Sequence, residues 1–585
     1  MHRAACSLSI DIKAVKPVSL RKISTILASA LISLTTITVT SAQGVNFGGV
    51  NFDNDIISWS DLYNLSFTSH NYGTARSMAM GNAFTALGAD MISASLNPAG
   101  VGMYVESDIS LSPMMQFTKS PTRGGEPYYN GVPRREQKFK DNTSRFGMSS
   151  VGGIFTAYRG TGAVTNINVG FAYNRIADFN QSYRNASLGE SAINSMANIF
   201  CSMSNLDGLQ TDADGRMDFG NDPYYWGAVL AYKNGLTNKD DQGWFIDRIS
   251  PDAEIDQYSA VQTRGSIGEY AITFGMNFVD KFYIGASLGI QSINYRRTTF
   301  YGENYIYADG LYPSGEEMPY QLDYMNYSQA TELSGTGVNF KIGATYRPFK
   351  FLRFGIAYHT PTAYSVAFGY QAEMWSRTYS AGTNPDGYEF DKDGYFYDNV
   401  ESPEWVDNGQ YSWNFRSPHR LMFGAALTIF NRIILSADYE RSWYQSARLQ
   451  SSPIYGLSYT SQLNEYFKGG NTVRLGAELN LLPLIVVRAG YIWSGNNFRN
   501  GYENQLFSHP LTKEQHYVTA GLGWRFGSTV YLDLAYQYGI TERTHYKTFY
   551  AVETSNTHSF DPIESIAYNT KTKRHHAVLT LGFRF

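Results

Sequence analysis

The chain has 585 residues, of which only 17% are charged and 15% aromatic, with Tyr 45, Phe 35 and Gly 54 all high. A mean hydropathy of −0.31 excludes a bundle of membrane helices, and a formal charge of −4 argues against nucleic-acid binding. The same averages fit a membrane barrel, where lipid-facing apolar residues alternate with polar lumen residues and aromatic girdles use much of the Tyr and Phe.

Residues 1–42 read as a secretory signal. Lys13, Lys16, Arg21 and Lys22 give a basic start, Ile23 to Val39 is an uncharged apolar run, and Thr40-Ser41-Ala42 offers a cleavage site before Gln43. The run is short for a span and rich in Thr and Ser. Its removal takes away a net +4 and leaves −8. It also takes Cys6, leaving Cys201 alone, so no intrachain disulfide is expected.

Residues 43–104 precede the first strand-like pattern. Within them, Gly73 to Gly102 is rich in small residues: Gly at 73, 81, 88, 100 and 102, and Ala at 75, 79, 83, 86, 89, 94 and 99. Such a stretch packs its backbone closely but has little bulk to build a core of its own. Asn97-Pro98-Ala99-Gly100 reads as a tight turn, since Pro98 fixes φ and pushes Asn97 out of the helical region. The segment reads as a plug that needs a container.

From residue 105 to 585 the period changes to two. Phe282, Ile284, Ala286, Leu288 and Ile290 alternate with Tyr283, Gly285, Ser287, Gly289 and Gln291, and Val518, Ala520, Leu522, Trp524 and Phe526 alternate with Thr519, Gly521, Gly523 and Arg525. Successive side chains of a strand point to opposite faces, so each segment has one apolar and one polar or small face. About fourteen such segments run from 105–117 to 573–585, which predicts an all-β, membrane-spanning antiparallel barrel. The connections alternate between tight turns, as at Val279–Lys281 and Asn431–Arg432, and long loops, as at 179–263 and 301–333. Short turns at one end and long loops at the other are the habit of outer-membrane barrels. The last strand alternates Ala577, Leu579, Leu581, Phe583 and Phe585 with His576, Val578, Thr580, Gly582 and Arg584. Its terminal Phe585 resembles the signal read by the barrel assembly machinery.

In the second long loop, Ser187-Leu188-Gly189-Glu190 fits a capping box, and Ile193, Met196, Ala197 and Phe200 follow at helical spacing. Residues 223–236 read as a second short apolar helix. Phe200, Trp226, Val229 and Leu230 are the candidate capture groove for an apolar ligand, the alternative being helices that pack only on each other.

No Gly-x-Ser-x-Gly elbow, Walker loop, His-Glu-x-x-His or Cys-x-x-Cys occurs, so neither an enzyme nor a cofactor site is expected. His575 and His576 fall on opposite strand faces and cannot readily share a metal. Asp391-Lys392-Asp393-Gly394 and Asp212-Ala213-Asp214-Gly215 lack the glycine spacing and terminal Glu of a calcium loop and read as solvated acidic loops, a weak lipopolysaccharide-bridging cation being the alternative. Lys341, Arg353, Arg420, Asp438, Glu440, Arg474, Glu478, Arg488, Arg525 and Asp533 fall on polar strand faces and should point inward; both signs occur, unlike a single-sign ion filter.

The pattern Gly73, Arg76, Gly81, Ala83, Ala86, Ala89-Asp90 and Asn97-Pro98-Ala99 resembles the N-terminal hatch of the FadL/TodX family of outer-membrane transporters for hydrophobic compounds. The resemblance implies a Gram-negative outer membrane, a monomer in contact with membrane lipid and lipopolysaccharide, and a hydrophobic small-molecule substrate such as a fatty acid. It also implies a route: capture at outside loops, an inner apolar pocket, a shift of the hatch and exit sideways through the wall. Arg76, Asp90, Asn97, Pro98, Ala99 and Gly100 would then belong to the hatch. The exit would lie at an inward kink of the third strand, about Thr165 to Asn180, with Gly170 its most permissive position and the Asn97 turn nearby. A general or solute-selective porin and an outer-membrane barrel enzyme are the rival readings.

Overall fold

The computed structural model describes residues 71–124, 137–206, 225–249, 253–306, 322–378, 412–450, 467–499, 514–541 and 567–585, with shorter stretches between them. The signal-like residues 1–42 and the acidic loop 391–394 lie outside the described residues. In Asp108–Arg123 (β1), Ile109, Leu111 and Phe117 are exposed while Ser110, Ser112, Gln116 and Thr118 are buried. The same period recurs around a closed antiparallel barrel.

Its fourteen spans are β1; Lys138–Arg159 (β2); Val164–Asp178, continuing as Gln181–Ser191 (β3); Glu254–Phe278 (β4); Phe282–Ile306 (β5); Leu322–Phe349 (β6); and Leu352–His359, continuing as Ala363–Thr378 (β7). Then follow Ser412–Arg416 with Arg420–Ile429 (β8); Ile433–Ser442 (β9); Gly470–Leu482 (β10); Ile485–Ser494 (β11); Gln515–Phe526 (β12); Val530–Thr541 (β13); and Ala567–Thr570 with Lys573–Arg584 (β14). β14 pairs with both β13 and β1, which closes the ring. Phe585 exchanges backbone hydrogen bonds with Ser107, at 3.0 and 3.1 Å, so the last residue is part of the seal. β4, β5 and β6 run on well past the expected ends at 264, 300 and 334, because the loop-end residues keep their ladder pairing.

The tight turns fall where the period breaks. Lys281 N donates to Phe278 O at 3.0 Å, and the central residues Val279 and Asp280 both take left-handed φ, +52° and +55°. This mirror-image turn matches the twist of its strands but suits Asn and Gly, not a β-branched residue. Val279→Asn should therefore raise stability by about 1 kcal/mol, measured by urea unfolding of the refolded barrel.

Outward residues around the ring are large and apolar: Phe171, Ile272, Phe340, Ile342, Leu435, Leu475, Val518, Leu522, Leu581 and Phe583 are all exposed. Inside, residues 71–104 form short turns: an α-helix at Ala75–Ala79 (α1) and 3₁₀ turns at Met91–Ala94 and Pro98–Met103. Nearly every residue in this stretch is buried. Thr74, Asp90 and Asn97 cap the three turns with their side chains, as short polar residues do at helix starts.

The loop helices are Met196–Leu206 (α2) and Trp226–Lys233 (α3). The expected capping box is not a helix start. Ser187 to Glu190 belong to the strand Gln181–Ser191, and Ser187 Oγ bonds the Glu190 carboxylate there. The cap of α2 is Ser195, whose Oγ accepts from Ala197 N at 3.1 Å. The acid comes from far along the chain: Glu303 of β5 accepts from Ser195 Oγ at 2.6 Å and Met196 N at 2.8 Å.

Candidate functional site

The site is the lumen, filled by residues 71–104. Polar side chains of the wall bond the backbone of this segment strand by strand. Thr580 accepts from Ala75 N at 2.7 Å, Asp438 from Thr85 N at 2.8 Å, and Thr519 donates to Ala79 O at 2.8 Å. Asn168 donates to Val101 O and Tyr104 O at 2.8 and 2.9 Å, and Arg353 to Leu87 O at 2.9 Å. An irregular segment has unpaired backbone groups, so it can be buried only if the wall supplies partners. Wall glycines let the backbones touch: a Cβ at Gly285 would collide with the carbonyl of Pro98.

Of the inward charges expected from the strand pattern, Arg353 and Asp438 hold backbone groups of the segment, and the other eight meet in ion pairs. Arg76 of α1 bonds Glu478 at 3.0 Å, Glu478 also takes Arg488 at 2.6 Å, and Arg488 reaches Asp533 at 2.7 Å, which Arg525 shares at 3.0 Å. Arg474 and Arg420 share Glu440, at 2.6 and 3.4 Å. Lys341 is paired with Glu269 of β4, an acid that its alternation with the exposed Tyr270 and Ile272 also marks as inward. Asp90 does not pair with Arg76. Its oxygens accept from Thr74 Oγ1 and Ile92 N, while Arg76 donates to the neighbouring Ala89 O at 3.2 Å.

Above the segment the lumen is packed with aromatic and apolar side chains, including Tyr327, Tyr364, Tyr370 and Phe415. The four candidate capture residues are all buried and do not form an open groove. Phe200 stands edge-on to Tyr327 at 5.5 Å and Trp226 lies 5.6 Å from Tyr370, with Leu230 in the same cluster. Val229 faces the other way, toward Cys201, Met217, Tyr232 and Phe245. Val229 stands about 100° round the helix from Leu230, so it points to the flank of the face that Trp226 and Leu230 share.

The third strand is the irregular part of the wall. β2 and β3 pair from Ser150↔Asn174 to Arg159↔Asn166. Nearer the loop end, residues 138–148 of β2 pair only with β1 among the described residues. Among the described residues the continuation Gln181–Ser191 pairs with β4 alone, and its side chains reach into the lumen: Gln181 bonds Thr572 at 3.0 Å, Asn185 reaches Tyr546 at 3.3 Å, and the Tyr183 and Tyr546 rings are 5.4 Å apart. An inward kink is therefore present, but not at Gly170. Gly170 is paired on both sides in unbroken register, with Ile154 and Thr273. The ladder shifts at Ile176 and stops at Phe179–Asn180, opposite Gly265 of β4, whose φ of +124° bends that strand. Asn174-Arg175-Ile176-Ala177-Asp178, polar-polar-apolar-apolar-polar, is the break in alternation that would have located it.

Side chains span the seam where the ladder is missing. Arg175 donates to Met148 O at 3.1 Å and pairs with Asp178 at 2.6 Å; Arg145 bonds Asn180 at 2.7 Å and Arg184 pairs with Asp141 at 2.7 Å. The Asn97 turn is not beside this seam. It lies on β5 and β6, with Asn97 Nδ2 3.3 Å from Thr345 Oγ1. The parts of the segment at the foot of the seam are Gly73, bonded to Ser149 at 3.1 Å, and Ser95, bonded to Asn174 at 2.9 Å.

No family model and no curated protein sequence matches this chain. Solved structures to which it is similar include the toluene transporter TodX of P. putida (12% identity, TM-score 0.45, covering 88% of this chain and 99% of that one). A FadL homologue of Pseudomonas aeruginosa is another (13%, 0.45, 88% and 98%), as is the toluene transporter TbuX of Ralstonia pickettii (14%, 0.43, 88% and 99%). At this distance the likeness transfers no residue role and no activity, so function has to be argued from the chain's own geometry.

Proposed function

We propose that this barrel sits in the outer membrane of a Gram-negative bacterium and takes up hydrophobic compounds, with residues 71–104 as its hatch. The observation that carries the reading is the third strand: its loop-end half leans into the lumen and leaves a free edge on β2, directly above a lumen sealed by the N-terminal segment. The exposed apolar ring supports a lipid setting, because a soluble barrel would not present so much apolar surface to water. A sealed lumen does not suit a water-filled porin. The aromatic filling below α2 and α3 suits an apolar molecule that binds before it moves.

In this reading the compound first lodges under the loop helices, among Trp226, Leu230, Phe200 and the tyrosines facing them. Straight passage is closed, so it leaves through the seam between β2 and β3 into the membrane. Movement of Gly73 and Ser95, at the foot of the seam, opens that way.

Reconstitution in planar bilayers and vesicles tests the function. Saturable uptake of an apolar solute without steady ion conductance is expected, whereas steady conductance with no saturation is the porin's result. Trp226→Ser with Leu230→Ser should weaken binding of an apolar probe at least tenfold, given about 1.5–3 kcal/mol per fully buried large apolar side chain. Unchanged binding by a folded barrel would remove the capture role from the loop helices.

A further inference from the structure

We infer that a row of polar side chains beside the seam is a subsite for the hydroxyl group of an otherwise apolar molecule. The inference rests on the proposed uptake route. The row crosses three adjacent strands: Gln116 on β1 lies opposite His576 on β14, which lies opposite Gln537 on β13. All three point inward and are at most 2% exposed. The Tyr72 ring of the N-terminal segment lies tilted 5.2 Å from His576, and the Tyr517 ring stacks 6.5 Å from it.

The hydrogen bonds fix what each group still offers. Gln116 Nε2 donates to Asp178 Oδ1 at 2.9 Å. A carboxylate only accepts, so the amide cannot be turned round, and Gln116 Oε1 is a spare acceptor. His576 Nδ1 is 2.8 Å from Gln537 Oε1. With the proton on Nδ1, His576 Nε2 is an acceptor and Gln537 Nε2 a donor. Flipping that amide and moving the imidazole proton exchanges the roles without changing the count. Gln116 Oε1, His576 Nε2 and Gln537 Nε2 are all buried without a partner among the described residues, and so is Asn71 Oδ1 next to Tyr72.

Buried polar atoms left unpaired are costly, so such a group is expected to meet a polar guest. The nearest acid, Asp178, is already paired with Arg175 at 2.6 Å, and the partnerless atoms themselves belong to neutral amide and imidazole groups, donors and acceptors together, which suits a neutral polar head. A hydroxyl has one donor and two lone pairs, and it can give to Gln116 or His576 while accepting from Gln537. An aliphatic alcohol or a phenol has that head and an apolar body for the Tyr72 and Tyr517 rings. Asp178 ends the first run of β3, where the strand turns away from β2, so the row inspects a molecule as it reaches the seam.

Equilibrium binding of p-cresol and p-xylene to the purified barrel tests this, since the two differ by a hydroxyl in place of a methyl. The wild type should prefer p-cresol by about tenfold, the worth of one or two buried hydrogen bonds. Gln537→Leu with His576→Phe removes both partners together and should abolish the preference while leaving p-xylene binding in place. Gln116→Leu alone should reduce it, which keeps the test open if the double variant does not fold. Equal binding of both compounds by the wild type, or a preference unchanged in the variants, would show that the row holds water only and overturn the subsite. Preferential binding that the variants lose, in a barrel that moves neither compound across a vesicle, upholds the subsite and rejects the transport reading. Binding of neither compound rejects both.

Discussion

Tying the N-terminal segment to the wall should reduce uptake to background. Ala94 of the first 3₁₀ turn packs against Ala172 of β3 and Ala271 of β4, in a cluster built from those three side chains. Contact between alanine side chains puts Cβ atoms within disulfide range. Ala94→Cys with Ala172→Cys should therefore oxidise without rebuilding the barrel. Cys201 will not compete: it is buried in α2, and burial pushes its thiol well above the ordinary value. Uptake by the oxidised form should fall to that of empty vesicles and return on reduction, with heat-modifiable migration unchanged. Full uptake by the oxidised barrel would mean that the segment does not move, or moves in a part remote from Ala94.

The second large effect belongs to Glu478. Among the described residues it is the one acid that joins the N-terminal segment, through Arg76, to the inner ion-pair network, through Arg488. Glu478→Leu leaves the fully buried Arg488 with Asp533 alone, and Asp533 is already shared with Arg525. Removing one member of a buried charge network costs about 3–5 kcal/mol. Two readouts follow: a lower urea midpoint, and ion conductance from barrels whose segment has come loose. Glu478→Leu combined with Arg76→Leu should recover part of the stability, because the uncompensated cation on α1 is gone. It should not recover the seal, because the tie between segment and wall is still missing. An unchanged midpoint would show that the network is wetter than its burial indicates.

Glu303 shows why parts of this architecture were not readable in advance. Spacing along the chain pointed to Glu190 as the acid that starts the loop helix. The acid that does so, Glu303, lies more than a hundred residues downstream on β5 and meets Ser195 only because β4 and β5 extend past the membrane-length strand. The seam is a similar case. A glycine is the permissive choice for a bend, yet Gly170 is hemmed in by Ile154 and Thr273, and the chain leaves the ladder at Ile176 to Asn180 instead. Phe200, Trp226, Val229 and Leu230 were legible as apolar helix residues. Which way each one faces depended on how two short helices settle over the lumen.

What the residues by themselves determined is the period-two wall: which side chains face outward, how many spans there are, and where the tight turns fall. Those follow from local rules, because a pleated strand sends successive side chains to opposite faces whatever its neighbours are. The small-residue character of 73–102 was equally local, and it said that this stretch needed an enclosure. Only the tertiary structure decided which wall groups hold that stretch, where the third strand parts from the second, and which buried polar atoms lack partners among the described residues. Those contacts join residues hundreds of positions apart, such as Ala75 and Thr580. They are set by how the ring closes, which no single strand encodes.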